Sequence, residues 1–292
     1  MIFMSKTCFV MLGNKCNQSC SYCYQDKTAS EFVFDEKIIA TVDSCNRVMF
    51  YGGEPLLYFD IIEYIVKKMS NKQLINITTN GTLLSSSIVD FLNKHNIHVS
   101  LSHDGIKHQE LRGYTDPLQT HGDFFLALKK KALICVVNNI NYNYYNLWDY
   151  LRDNKLELAH TFQHAKWCGA TDETFMFKDN REWEDLLEQV SCIAIDDLRR
   201  RRVSNELLFF KQYFNGGRDF CSCHDNYTCI DLAGNIYACH NYKLQRVGNR
   251  FCQPKCSAKP ICGGGCLCEP NAYDCYLYKT LYRYCEKIMM EV

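Results

Sequence analysis

Three cysteines crowd the segment "CNQSCSYCY": Cys16, Cys20 and Cys23, spaced CxxxCxxC. Thiolates gathered on one loop can each take one iron of a four-iron cluster. The remaining iron is then open to an exogenous ligand, as catalytic metal sites keep a position that closed structural sites do not. Zinc is the plain structural alternative, but it needs a fourth nearby ligand and more often pairs CxxC units. Farther on, "MFYGGEPLL" closes an apolar run with Gly52, Gly53, Glu54 and Pro55. Paired glycines let a ligand approach the backbone. Glu54 and nearby exposed carbonyls can accept hydrogen bonds from an ammonium group. The glycines alone would equally suit an ordinary strand-to-helix turn.

A second concentration of cysteine lies near the other end. Of 19 cysteines, eleven fall between Cys221 and Cys285. They sit among short turns too poor in apolar residues to hold themselves without metal. With no signal-peptide pattern at "MIFMSKTCFVML" and no membrane-length apolar run, the chain is expected in the cytoplasm. There, abundant cysteine means metal or redox chemistry rather than disulfides.

The elements that must position these groups are legible from periodicity. Strands are expected at Thr7–Leu12, Arg47–Tyr51, Leu74–Thr79, His98–Ser102, Ala132–Val137 and Leu156–Phe162. Helices between them carry Ile38, Ile39 and Val42, then Ile61, Ile62, Ile65, Val66 and Met69, then Ile88, Val89 and Leu92. Further helices are expected at Phe124–Lys131 and Tyr144–Asp153. Alternation of strand and helix implies an α/β fold with a parallel sheet, curled into a partial (β/α)6 barrel with right-handed crossovers. Ligand sites of such sheets lie at the carboxyl ends of the strands, where every motif above falls. Residues 1–165 would be the barrel, 166–219 a helical linker region and 220–292 a small cysteine-rich domain with a closing helix at Tyr276–Met290.

Acidic and basic residues balance at 33 each, so nothing favours a nucleic-acid partner. The run Arg199–Arg202 reads as a solvated helix face. Cys8, Cys45, Cys135 and Cys192 lie in apolar patterns and read as buried thiols. Cys168, after the sixth strand, could face the barrel mouth and give a hydrogen atom to a substrate radical, though an inert thiol is the simpler reading. His240 could act as a base, or be purely structural.

Together these motifs resemble the radical SAM superfamily, whose members carry a CxxxCxΦC loop after strand one and a GGEP-like motif after strand two. Tyr22 takes the aromatic position, which in the family lies against the adenine. "TTNGTLL" (Thr78–Leu84) and "LSHDGIKHQELRG" (Leu101–Gly113) resemble the third and fourth strand ends. By that resemblance Asn80, Ser102, Asp104 and Arg112 line the side of S-adenosylmethionine (SAM) or substrate. The family usually reads SLDG where this chain has Ser102–His103–Asp104–Gly105. The resemblance implies a [4Fe-4S] cluster with an open iron, SAM chelated there, and reductive formation of a 5′-deoxyadenosyl radical.

The tail resembles the SPASM module of radical SAM peptide maturases. "DLAGNIYACH" supplies Gly234 and Cys239; "CQPKCSAKPICGGGC" supplies Cys252, Cys256, Cys262 and Cys266. Two auxiliary [4Fe-4S] clusters are implied. One would use Cys239, Cys266 and two of Cys221, Cys223 and Cys229. The other would use Cys252, Cys256, Cys262 and a late cysteine, for which Cys275 fits better than Cys285. Cys268 has no assigned role. Structural zinc is the alternative reading of the tail.

The expected activity is radical oxidation of a ribosomally made peptide, by crosslinking, thioether formation or epimerisation, with electrons from an external donor. Fifteen residues precede Cys16, which leaves no space for an amino-terminal leader-binding domain, so a separate recognition protein is a candidate partner. A sulfatase-type maturase or a small-molecule radical enzyme is the competing enzyme reading. His240 stands where sulfatase maturases carry an aspartate base. A non-catalytic iron–sulfur electron carrier is the competing reading of another class.

Overall fold

Alternating side chains decide which way each strand faces. In the computed structural model, which describes residues 7–23, 25, 31–70, 73–156, 158–164, 180–214, 227–239, 258 and 272–291, six strands run parallel. They are β1 (Thr7–Met11), β2 (Arg47–Tyr51), β3 (Leu74–Thr79), β4 (His98–Ser102), β5 (Lys131–Val137) and β6 (His160–His164). One face of the sheet offers Cys8, Val10, Val48, Phe50, Ile75, Ile77, Val99 and Leu101. These meet the apolar faces of α1 (Ile38–Asp43), α2 (Phe59–Lys68) and α3 (Ser86–Lys94) in the main core. Ile62, Ile65 and Val66 on α2 recur at helical spacing and are buried there. Ser85 caps α3, its hydroxyl accepting from the Ile88 amide. The opposite face of β1 and β2 holds a smaller cluster of Phe9, Met11, Met49 and Tyr51.

The sheet continues past β1. β7 (Tyr227–Asp231) pairs parallel with β1, and β8 (Ile236–Tyr237) pairs antiparallel with β7, giving the order β6-β5-β4-β3-β2-β1-β7-β8. Three helices, α8 (Asn180–Arg199), α9 (Asn205–Phe214) and α10 (Ala272–Met289), build a second core against Cys135, Val137 and Phe162. Trp183 is its largest fully buried side chain, and its ring N–H donates to the Leu277 carbonyl at 3.1 Å. No helix among the described residues is long and apolar enough to cross a membrane.

The closing helix expected at Tyr276–Met290 runs Ala272–Met289, and two further expected elements differ. Strand six starts at His160, not Leu156, because Leu156 closes the preceding helix α7 (Tyr145–Asp153). Its amide donates to the Leu151 carbonyl, after Lys155 turns the chain in the left-handed region. Its apolar side chain packs against the core from a turn. The expected helix at Phe124–Lys131 is shortened to α6 (Gly122–Leu126), since the Asn93 side chain donates to the Ala127 carbonyl and accepts from the Lys129 amide. Cys8, Cys45 and Cys135 are buried as expected, but Cys192 is exposed beside Glu188. Arg199 and Arg200 pair with Glu291 and Asp196 on the solvent face.

Candidate functional site

The cysteine loop leaves the carboxyl end of β1 and is pressed against the end of β2. The Gly53 amide donates to the Gly13 carbonyl at 2.9 Å, and the Glu54 amide to the Lys15 carbonyl at 2.8 Å. A side chain at Gly53 would put its Cβ 2.1 Å from the Lys15 carbonyl oxygen, and one at Gly52 would meet the Gly13 carbonyl oxygen at 2.6 Å. The two glycines thus admit the cysteine loop itself. Pro55 is buried and opens a short 3-10 turn, Pro55–Tyr58. Glu54, 1% exposed, receives the Leu56 amide and the Thr79 hydroxyl on one oxygen and the Asn80 amide on the other. Burial pushes its carboxyl up against those three bonds, which favour the charged form. Glu54 therefore ties the end of β2 to the end of β3.

Asn80 reaches back to the cysteines. Its amide nitrogen donates to Asn17 Oδ1 at 2.8 Å and lies 3.9 Å from Cys16 Sγ. Asn17 in turn donates to the Thr82 hydroxyl, and Thr82 to Asn80 Oδ1, both at 2.7 Å. This closed ring fixes Cys16 relative to β3. Sequence reasoning did not single out Asn17 or Thr82. Their signal was proximity to motif residues, which carries no chemistry by itself.

At the end of β4, Asp104 and Arg112 form a buried pair. Arg112 Nε donates to Asp104 Oδ2 at 2.9 Å and Nη2 to Oδ1 at 3.2 Å. The Tyr22 hydroxyl donates to Oδ2 at 2.7 Å, and the Val136 amide to Oδ1 at 3.2 Å. Burial holds the Tyr22 phenol well above its ordinary value, so it stays a donor. Arg112 Nη1 extends to within 4.0 Å of Cys20 Sγ. Burial also holds the Cys20 thiol up, while the guanidinium pulls it the other way.

Ser102, half-buried, ends β4 next to His103, which is fully buried. His103 Nδ1 accepts the Gly105 amide at 3.1 Å, so its Nε2 carries the proton toward Asp116 Oδ1 at 3.0 Å. Tyr150 also donates to Asp116. The polar residue in the family's apolar SLDG position is thus satisfied by α5 (Pro117–Thr120), whose cap is Asp116, and by α7.

Residues 10–152 match the Radical SAM superfamily. This stretch is a radical SAM domain. Among curated relatives, the radical SAM cyclopropyl synthase TigE of Paramaledivibacter caminithermalis is 22% identical over 79% of this chain and 56% of its own length. The cysteine-type anaerobic sulfatase-maturating enzyme of Clostridium perfringens is 22% identical over 92% of this chain and 93% of that protein. The chain spans about half the length of the first curated relatives it matches. The solved structure of native anSMEcpe with bound AdoMet and Cp18Cys peptide superposes with a TM-score of 0.74 at 19% identity, over 97% of this chain and 98% of that one. That likeness establishes the fold.

A radical SAM domain implies a [4Fe-4S] cluster and SAM. The thiols fit it. Cys16 and Cys20 are half-buried and Cys23 exposed, and Cys16 and Cys23 both act electrostatically on Cys20. Among the described residues no group of three or more His, Cys, Asp or Glu side chains could hold a single metal ion. Three thiols on one loop would supply three ligands of a four-iron cluster and leave its fourth iron open.

Of the carboxy-terminal candidates, Cys229 is buried on β7 beside Phe9 and Met11, and Cys239 is buried just beyond β8. Cys275 lies within α10, its side chain outside the described set. Cys168, Cys221, Cys223, His240, Cys252, Cys256, Cys262, Cys266 and Cys268 lie outside the described residues.

Proposed function

We propose that this chain is a peptide-modifying radical SAM oxidoreductase whose cysteine-rich tail is a SPASM domain holding two auxiliary clusters. One observation carries the reading: the ends of β1 to β4 bring Cys16, Cys20, Glu54, Asn80, Asp104 and Arg112 into one hydrogen-bonded site. When bound, the cluster and SAM supply a 5′-deoxyadenosyl radical that takes a hydrogen atom from substrate. Cys16, Cys20 and Cys23 hold the cluster. Tyr22, Gly52, Gly53, Glu54, Pro55, Asn80, Ser102, Asp104 and Arg112 form the SAM side of the site, with the buried Arg112 offering a fixed positive charge. The chain's contribution is to position these groups and keep competing donors away.

A peptide is supported as substrate by the fold shared with anSMEcpe, whose structure contains one. An external donor supplies the electrons, and a separate recognition protein is a candidate partner for the precursor. A reducing cytoplasm suits so many thiols.

In the tail, Cys239 and Cys266 with two of Cys221, Cys223 and Cys229 hold one auxiliary cluster, and Cys252, Cys256, Cys262 and Cys275 the other. Cys285 is buried in the apolar second core with Leu281 and Ile288, which supports Cys275. Cys168 and His240 are candidates for a hydrogen-atom donor and a base.

The test is anaerobic incubation of reconstituted protein with SAM, strong reductant and a candidate precursor peptide. Formation of 5′-deoxyadenosine with loss of a hydrogen pair from the peptide supports oxidation or crosslinking. Deuterium uptake from solvent without other mass change supports epimerisation. 5′-Deoxyadenosine formation with every peptide left unaltered contradicts the peptide assignment. A second reading, sulfatase maturation, is favoured by the near full-length match to the C. perfringens enzyme. A cysteine-containing sulfatase peptide, offered alongside, separates the two.

A further inference from the structure

We propose that Arg112 is a redox-tuning residue: held by Asp104, it hydrogen-bonds the Cys20 thiolate and raises the reduction potential of the cluster that the cysteine trio holds. The inference rests on reading that trio as a cluster site.

A guanidinium has a planar fork of five N–H donors. Two of its nitrogens, Nε and Nη2, are taken by the two oxygens of Asp104, and the third, Nη1, lies 4.0 Å from Cys20 Sγ. The fork cannot rotate without breaking both carboxylate bonds. Asp104 is itself pinned by the Tyr22 hydroxyl and the Val136 amide, and the Tyr22 ring lies 5.6 Å from the Arg112 guanidinium carbon. The Arg112 side chain is 6% exposed and that of Asp104 is 0%, so solvent screens this charge poorly. Nη1 is the guanidinium nitrogen next to Cys20, whereas both oxygens of Asp104 are engaged by Nε and Nη2.

Reduction adds one negative charge to a cluster. Hydrogen bonds and positive charge at its sulfurs stabilise the reduced form. Arg112 thus favours uptake of the electron before SAM is present.

The experiment is an EPR-monitored redox titration of the reconstituted full chain without SAM. The signal of interest is the one absent from a variant in which Cys16, Cys20 and Cys23 are all alanine. Arg112→Gln should shift its midpoint to more negative potential, while Arg112→Lys should stay nearer the parent. The paired variant Asp104→Asn with Arg112→Gln leaves no buried charge unpaired and should also shift negative, which decides the matter if Arg112→Gln alone does not fold. Parent-like midpoints in the variants that fold, with the signal intact, overturn the role of Arg112 alone. Absence of any trio-dependent signal in the parent protein overturns the cluster reading beneath it.

Discussion

Tyr22 and Asp104 stand 82 positions apart, yet the Tyr22 hydroxyl donates to Asp104 Oδ2 at 2.7 Å in a buried site. This bond joins the cysteine loop to the end of β4. Tyr22→Phe should cost about 1.5–3 kcal/mol, the usual worth of a hydrogen bond to a charged group. Urea unfolding of the apoprotein measures it. An unchanged midpoint and slope would show that the loop does not depend on this tie.

The Asp104–Arg112 pair makes a sharper demand. Arg112→Met strands a carboxylate with 0% side-chain exposure and should destabilise by about 3–5 kcal/mol. Adding Asp104→Leu should recover much of that loss, because neither charge is then left buried alone. A double variant no more stable than the single one by denaturant unfolding contradicts the pairing.

Gly53→Ala tests the contact between the cysteine loop and β2. Its Cβ would lie 2.1 Å from the Lys15 carbonyl oxygen, so the loop must move. Overpacking of this kind costs about 1–3 kcal/mol, and iron content after reconstitution should fall relative to the parent. Full iron loading with parent stability would mean the loop has room.

Acid stability should depend on His108. Burial first, then the neighbouring His103 ring and the positive charge of Arg112, bring this imidazole down to about 3. Between about pH 6.5 and 3 the unfolded chain takes up a proton there that the folded chain refuses, so stability falls as pH falls through that window. Asp116 does not oppose this. Burial raises it, but bonds from His103 and Tyr150 bring it down to about 2, and its contribution persists until pH drops below its ordinary value of 3.8. Thermal unfolding of His108→Leu between pH 7 and about 4.5 should show a shallower decline than the parent. Parallel declines contradict the assignment.

The sheet was legible because its strands are short apolar alternations closed by turns. Arg47–Tyr51, Leu74–Thr79 and His98–Ser102 match the expected bounds residue for residue. Leu156 misled because an apolar residue anchoring a turn looks locally like one in a strand. The pairing of β7 with β1 was not legible, since a parallel contact between residues 7 and 227 leaves no local pattern. In the site, cysteine spacing announced its chemistry. The Glu54 clip and the Asn17–Asn80–Thr82 ring did not, because ordinary polar residues become informative only when the fold brings them together. His103 read as a departure from a family pattern, and its reason lay thirteen residues away at Asp116.

The most direct test of the central claim is 5′-deoxyadenosine production from SAM under strong reductant, comparing the anaerobically reconstituted protein with Cys20→Ala. The parent should release it and the variant should not. Equal release from both, or none from a parent whose Cys16, Cys20 and Cys23 carry iron, would contradict the account.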